Sequence, residues 1–182
     1  MATSLRMFAG FPLRRRRRKA SLLRMVALVG AALVALLCSQ ASAAAEREFT
    51  ADLASRIVQG CVVHARAKGQ SHAIAVYDDG GHPVAVLRMD GNPAGVAEFA
   101  MQKALAVAQW QFSTADMAVA ALATPGFASA PSVVTVPGGV PIFSGDGLRF
   151  LGAVGVSGAP AGEEDERCAK AGLEAIRDKI EF

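Results

Sequence analysis

Apolar residues recur every three or four positions from Thr50 onward, which predicts an amphipathic helix that ends near Lys68. Thr50 is a suitable N-cap for this helix, and Gly69 can end it. One face of the helix carries Leu53, Ile57, Cys61 and His64. Two apolar runs rich in strand-forming residues follow, at 72–77 and 83–87, and the Asp-Asp-Gly-Gly sequence between them is typical of a turn. The domain is therefore predicted to begin with a helix and a β-hairpin.

Two further helices are predicted after the hairpin. Asn92 can cap the first, with Pro93 as its first residue, and the apolar pattern continues to about Trp110. Ser113 begins a capping-box sequence, which starts a shorter helix that ends near Ala123.

The rest of the chain is predicted to form three strands and a last helix. The strands are Ser132–Val136, a short segment after the turn Pro137-Gly138-Gly139, and Leu148–Val156, and the helix runs from Glu163 to about Lys179. Strands that follow one another without an intervening helix indicate antiparallel pairing. The predicted fold class is therefore α+β with an antiparallel five-stranded sheet.

The N-terminal segment has the composition of an export signal. A basic run, Arg14–Lys19, precedes an apolar stretch of 13 residues, Met25–Leu37, and Ala41-Ser42-Ala43 is a small-residue cleavage pattern. The apolar stretch is shorter than the ~20 residues that a membrane span needs. We therefore expect a signal peptide at 1–43, a domain at 44–182, a secreted or periplasmic location, and no stable membrane insertion after cleavage. The general and the twin-arginine export routes both stay open, because Arg17-Arg18 lies within a longer arginine run.

Removing this segment reverses the sign of the charge. The whole chain has a net charge of +3, but residues 44–182 keep 11 of the 19 basic residues and all 16 acidic residues, a net charge of −5. Domains that bind nucleic acid carry a basic face of their own, so we expect no nucleic-acid partner.

Two cysteines, Cys61 and Cys168, remain after cleavage, and each lies in a predicted helix. An exported protein can join them in a disulfide, and two separate buried thiols are the alternative. The three histidines have no metal-ligand spacing, so no metal site is predicted.

Candidate chemistry is confined to glycine turns and two cations, because the chain contains no nucleophile elbow, phosphate loop or metal-ligand cluster. Arg88 and Lys103, together with backbone N–H groups of the turns, can bind a carboxylate. The turn residues are Gly138, Gly139, Gly155, Ser157 and Gly158. In the structural alternative, Arg88 pairs with Asp90 or Glu98, Lys103 is solvated, and the strand glycines allow close helix packing. No catalytic residue is predicted, and whether the protein is an enzyme stays open.

Several short motifs occur together in one order. They are Asp78-x-x-Gly81, Arg88-Met89-Asp90, Gln102-Lys103-Ala104, Gly138-Gly139-Val140-Pro141, Gly152-Ala153-Val154-Gly155-Val156-Ser157-Gly158, and Asp165 with Ala171-Gly172-Leu173. This order and spacing resembles the GlcG/HbpS family of haem-degrading or haem-binding proteins, over about Ala51–Ile176.

The resemblance implies a profilin-like sandwich with helices on both faces of the sheet, a haem or other small-molecule ligand, and a dimer or larger homo-oligomer. Two positions depart from the family pattern. Ala106 stands where many members have Thr or Ser, and Pro137 replaces the first of three glycines. The first departure removes a polar side chain that could contact haem.

If haem is the cofactor, its iron takes His, Met, Cys or Tyr as axial ligand. His64 is one candidate, although its place on an apolar helix face also suits a core or interface histidine. His82 lies in an exposed turn and can reach a ligand only across a subunit interface. Met89 is a third candidate that packing also explains, and we expect His72 to be solvated. Arg88 or Lys103 can pair with a propionate.

Three functions therefore compete. The first is a secreted haem (tetrapyrrole)-binding protein, a scavenger or redox-sensing accessory, with or without weak haem-degrading activity. The second is a binder or enzyme that acts on a small organic acid through Arg88 and the glycine-turn N–H groups. The third is an oligomeric structural partner of another secreted protein.

Overall fold

The computed structural model describes residues 49–180, so the predicted signal peptide at 1–43 lies outside the described residues. The helices are α1 (Ala51–Ala67), α2 (Ala94–Trp110), α3 (Thr114–Ala123) and α4 (Gly162–Glu174). The strands are β1 (Ala73–Asp78), β2 (Pro83–Arg88), β3 (Gly139–Phe143) and β4 (Phe150–Ser157). Two 3-10 turns lie at Phe127–Ser129 and Arg177–Lys179. Within this range, every helix is too short or too polar to cross a membrane.

The described strands form one antiparallel sheet in the order β2-β1-β4-β3. The prediction of an α+β fold is confirmed, but the prediction of five strands is wrong. Segment 132–136 is a loop, although it is rich in β-branched residues. Ser132 has a φ of +57°, a left-handed conformation that a strand does not contain, and prolines stand on both sides of the segment.

Helices cover both faces of this sheet. Alternate side chains of β1 point to opposite sides, and each set packs against different helices. Ile74 and Val76 belong to a core shared with α1 and α4. Ala73, Ala75 and Tyr77 belong to a second core, under α2. Burial on both faces explains why β1 does not alternate between polar and apolar residues from Ala73 to Tyr77.

Small residues let α2 lie very close to the sheet. A Cβ added to Gly155 would lie 2.1 Å from the carbonyl oxygen of Ala100 and 2.4 Å from the amide nitrogen of Ala104. Glycine at position 155 is therefore needed for the contact between α2 and β4.

The helix ends agree with the sequence at α1 and α3 and differ at α2 and α4. The Thr50 and Ser113 hydroxyls accept backbone N–H bonds and cap α1 and α3. Asn92 does not cap α2: Pro93 occupies the N-cap position, and the Asn92 amide donates instead to the Ser71 hydroxyl at 2.7 Å. The last helix ends at Glu174, and Arg177–Lys179 forms a 3-10 turn.

A disulfide joins α1 to α4 inside the first core. The sulfur atoms of Cys61 and Cys168 are 2.02 Å apart, and both residues are fully buried. The two helices touch closely here, because a Cβ on Gly172 would lie 2.6 Å from the Ile57 carbonyl oxygen. The bridge connects residues 107 positions apart, near the two ends of the domain.

Replacing both cysteines, Cys61→Ala with Cys168→Ala, should lower the free energy of unfolding by about 3–5 kcal/mol, since the bridge restricts a long loop of the unfolded chain. Urea denaturation with and without a thiol reductant measures the effect. The double variant should not respond to the reductant. A loss below about 1 kcal/mol would show that the bridge contributes little.

Candidate functional site

A buried ion pair lies at the end of the sheet where β1 begins and β4 ends. The Lys103 ammonium, on α2, donates to the Asp165 carboxylate, on α4, at 2.9 Å, and to the Val156 carbonyl oxygen at 2.9 Å. Lys103 has no exposed surface and Asp165 is 3% exposed. Because α2 and α4 lie on opposite faces of the sheet, this pair connects the two helical layers. We call these two residues and His72 the Lys103–Asp165 corner.

His72 completes this corner. Its Nδ1 lies 3.1 Å from one Asp165 oxygen, and its Nε2 lies 3.3 Å from the side-chain oxygen of Gln70. The prediction that His72 is solvated is wrong, because it is fully buried. The Asp165 carboxylate also accepts the backbone N–H of Ala159 at 2.9 Å. Three nitrogen atoms therefore lie within hydrogen-bond distance of it, one each from Lys103, His72 and Ala159.

Burial has a direct electrostatic consequence for Lys103. Desolvation lowers the pKa of its ammonium below the ordinary value, and the charge and hydrogen bond of Asp165 oppose that shift. The Phe99 ring, 4.8 Å from the ammonium, adds a further favourable contact. The sequence carries one signal for this arrangement: Lys103 lies on the apolar face of α2, where an unpaired charge would be costly.

The glycine turns gather around the same corner and pack against the domain itself. A Cβ on Gly138 would lie 2.7 Å from the Lys103 ammonium, and one on Gly158 would lie 2.7 Å from the Ser71 carbonyl oxygen. The backbone N–H of Gly139 donates to the Thr114 hydroxyl at 2.9 Å, a partner that the sequence did not suggest. The turns that sequence analysis grouped are thus brought together, with the domain's own atoms filling the space between them.

Arg88 lies at the same end of the sheet but on the surface. Its backbone pairs with Ala73, which in turn pairs with Ser157. The Arg88 guanidinium is exposed and donates to the backbone carbonyl of Asn92. Ser157 is 7% exposed. Arg88 is therefore the exposed cation among the sequence-predicted site residues.

The three predicted haem ligands lie in different surroundings. The Nε2 atom of His64, on α1, is buried and has no hydrogen-bond partner among the described residues. His82 is exposed, and its Nδ1 lies 3.3 Å from Asp78. The Met89 sulfur accepts the backbone N–H of His72 at 3.5 Å. Within residues 49–180, no group of three or more His, Cys, Asp or Glu side chains is placed to hold a metal ion.

Comparison with known proteins identifies relatives of this domain. A family model described as "Haem degrading protein HbpS-like" matches residues 49–174. Protein GlcG of Escherichia coli K12 is 36% identical over 106 residues, which cover 58% of this chain and 78% of that protein.

Solved structures extend the comparison to the fold. HbpS of Streptomyces reticuli, solved as a double mutant, has 27% identity and a TM-score of 0.66, over 71% of this chain and 87% of that one. A PduOC–haem complex has 21% identity and a TM-score of 0.65, over 74% of this chain and 99% of that one. At that identity the second likeness shows the fold alone.

Replacing Lys103 with Met should lower the free energy of unfolding by about 3–5 kcal/mol, since it leaves the buried Asp165 carboxylate without its cation. The matched control is Lys170→Met, which removes an exposed lysine paired with Glu166 at 2.6 Å. The control should cost less than about 1 kcal/mol. Equal losses in urea denaturation would contradict a special role for the buried pair.

Proposed function

Because this chain belongs to the HbpS-like family, we propose that it is an exported haem (tetrapyrrole)-binding protein that acts as a scavenger or as an accessory of redox sensing. The observation that carries the proposal is the family match, which spans residues 49–174 and therefore almost the whole described domain. Weak haem-degrading activity and assembly into a homo-oligomer are finer parts of the same proposal. So is a secreted or periplasmic location, which the pattern of residues 1–43 favours.

His64 is the axial ligand that we propose for the haem iron. A histidine nitrogen that binds iron accepts no hydrogen bond, and Nε2 of His64 has no hydrogen-bond partner among the described residues. Both ring nitrogens of His72 are already engaged, by Asp165 and Gln70. His82 and Met89 stay as secondary candidates: His82 is exposed beside Asp78, and the Met89 sulfur already accepts a backbone N–H.

Arg88 is the residue that we propose for a haem propionate. A guanidinium has five N–H donors, so Arg88 can keep its bond to the Asn92 carbonyl and still bind a carboxylate. A carboxylate could reach Lys103 only by displacing Asp165, and the Gly139 N–H already donates to Thr114. Because Lys103 and the Gly139 N–H are already engaged within the domain, a small organic acid has less support as the ligand than haem has.

Adding haemin to the purified protein should shift the Soret band at micromolar concentration. His64→Ala should weaken haemin binding by roughly tenfold or more, which is at least about 1.4 kcal/mol, and move the band, since it removes the proposed axial ligand. His82→Ala tests the secondary candidate, and it should bind as the wild type does if His64 is the ligand. Absorbance titration measures all three proteins, with circular dichroism to verify folding.

The outcomes separate two parts of the proposal. No Soret shift with the wild-type protein would exclude haem binding at this concentration. A normal shift with a folded His64→Ala variant would retain haem binding and exclude His64 as the ligand.

A further inference from the structure

His64, the residue that we propose as the axial ligand, is enclosed in this structure. Its Nε2 atom is buried, and it has no hydrogen-bond partner within residues 49–180. A histidine binds a metal through a ring nitrogen that the metal can approach. Nε2 can therefore reach iron only after the element that covers it has moved.

Helix α4 packs on the face of α1 that carries His64. Ile57, Cys61 and His64 follow one another at intervals of four and three residues, so they lie on one face of α1. A Cβ on Gly172 of α4 would lie 2.6 Å from the Ile57 carbonyl oxygen. Cys61 is joined to Cys168 of α4. The face that holds His64 is therefore the face on which α4 lies.

The two helices run in opposite directions, which places His64 beside the first turns of α4. The disulfide joins the helices about one turn before His64, and Lys68 follows His64 by about one turn. Lys68 is near Glu164, in the first turn of α4: a hydrogen bond from Arg167 lowers the pKa of the Glu164 carboxyl most, and the charge of Lys68 lowers it further. His64 lies between these two contacts, beside residues 164–168.

The disulfide is the covalent link in a helix contact that is otherwise built from small residues. A Cβ on Gly60 of α1 would lie 2.9 Å from the Cβ of Ala175 and 3.0 Å from the carbonyl oxygen of Ala171. Small side chains allow close approach but bury little apolar area each. The bridge is therefore the bond that most directly keeps the first turns of α4 against α1.

We propose that the Cys61–Cys168 disulfide is a redox-sensitive latch that keeps α4 over His64. A dithiol reductant opens the latch by giving two electrons and two protons to the bridge. The S–S bond breaks, two thiols form, and the dithiol becomes a disulfide. The first turns of α4 can then separate from α1 and uncover Nε2. This inference rests on the proposed function, because it assigns the regulation of the His64 site.

Burial of the bridge couples its reduction to the exposure of His64. Both cysteines are fully buried, so a reductant reaches the sulfur atoms only when the two helices separate. The same separation uncovers Nε2 of His64. Because ligand binding at His64 and reduction of the bridge need the same open arrangement, each should favour the other.

Two measurements compare the oxidised protein, the reduced protein and the double variant Cys61→Ala with Cys168→Ala. The full-length gene is expressed, and the reductant is removed under nitrogen before haemin is added, because free thiols bind haem iron. The first measurement is the rate at which diethyl pyrocarbonate modifies His64, by mass spectrometry, with the exposed His82 as internal reference. The second is the haemin dissociation constant from the Soret band.

The reduced protein and the double variant should behave alike. Modification of His64 should become roughly tenfold faster or more relative to His82, since the helix pair opens more often without the bridge. Haemin should bind roughly tenfold more tightly, because a larger fraction of the protein is competent to bind.

Met117→Ala is the matched control for a general loss of stability. It removes a fully buried side chain from α3 and keeps the disulfide. Its His64 reactivity and its haemin affinity should equal those of the oxidised wild type. Equal changes in this control would show that lower stability, and not the latch, exposes His64.

The outcomes separate the latch from the proposed function. Unchanged His64 reactivity after reduction would overturn the latch, and equal haemin affinity of the two forms would overturn its control of ligand binding. A Soret shift in neither form would overturn the proposed function. A rise in His64 reactivity in that same experiment would still support the latch.

Discussion

The ion pair between Lys103 and Asp165 is the interaction on which the arrangement of this domain depends. It joins α2 on one face of the sheet to α4 on the other, at the end where β1 begins and β4 ends. Two charges in a dry interior are tolerated only when further hydrogen bonds surround them. Here the Val156 carbonyl, His72 and the Ala159 N–H supply those bonds, and the glycines nearby leave room for them.

This constraint decides which residues remain for a ligand. The polar groups that would suit an anion lie in the Lys103–Asp165 corner, where they bind other groups of the domain. The remaining candidates lie outside it: His64 with its unpartnered ring nitrogen, and Arg88 on the surface. The disulfide joins α1, the helix that carries His64, to α4. Cys61 lies about one helical turn before His64. The polar groups of the corner are therefore occupied within the domain, and the ligand chemistry that we propose falls to His64 and Arg88.

Local sequence signals predicted most of the elements but not the contacts between them. Caps at Thr50 and Ser113 and the Asp-Asp-Gly-Gly turn act over a few residues, so they can be recognised without knowing the fold. The segment 132–136 was misjudged because strand propensity describes a residue's fit to a sheet and says nothing of whether a neighbouring strand is present. His72 was misjudged for a related reason: its partner, Asp165, is 93 positions away in sequence. Lys103 was predicted to bind a ligand or to be solvated, and its burial against Asp165, 62 positions away, could not be read from the local sequence.

The charge state and enclosure of Lys103 test this account most directly. Nitrogen-detected NMR of the side-chain ammonium at neutral pH reports both. We expect a charged Lys103 ammonium whose protons exchange with water far more slowly than those of the exposed Lys170, as enclosure beside Asp165 requires. A Lys103 ammonium that exchanges as fast as Lys170 would show that this corner is open to solvent, and the account would then be wrong.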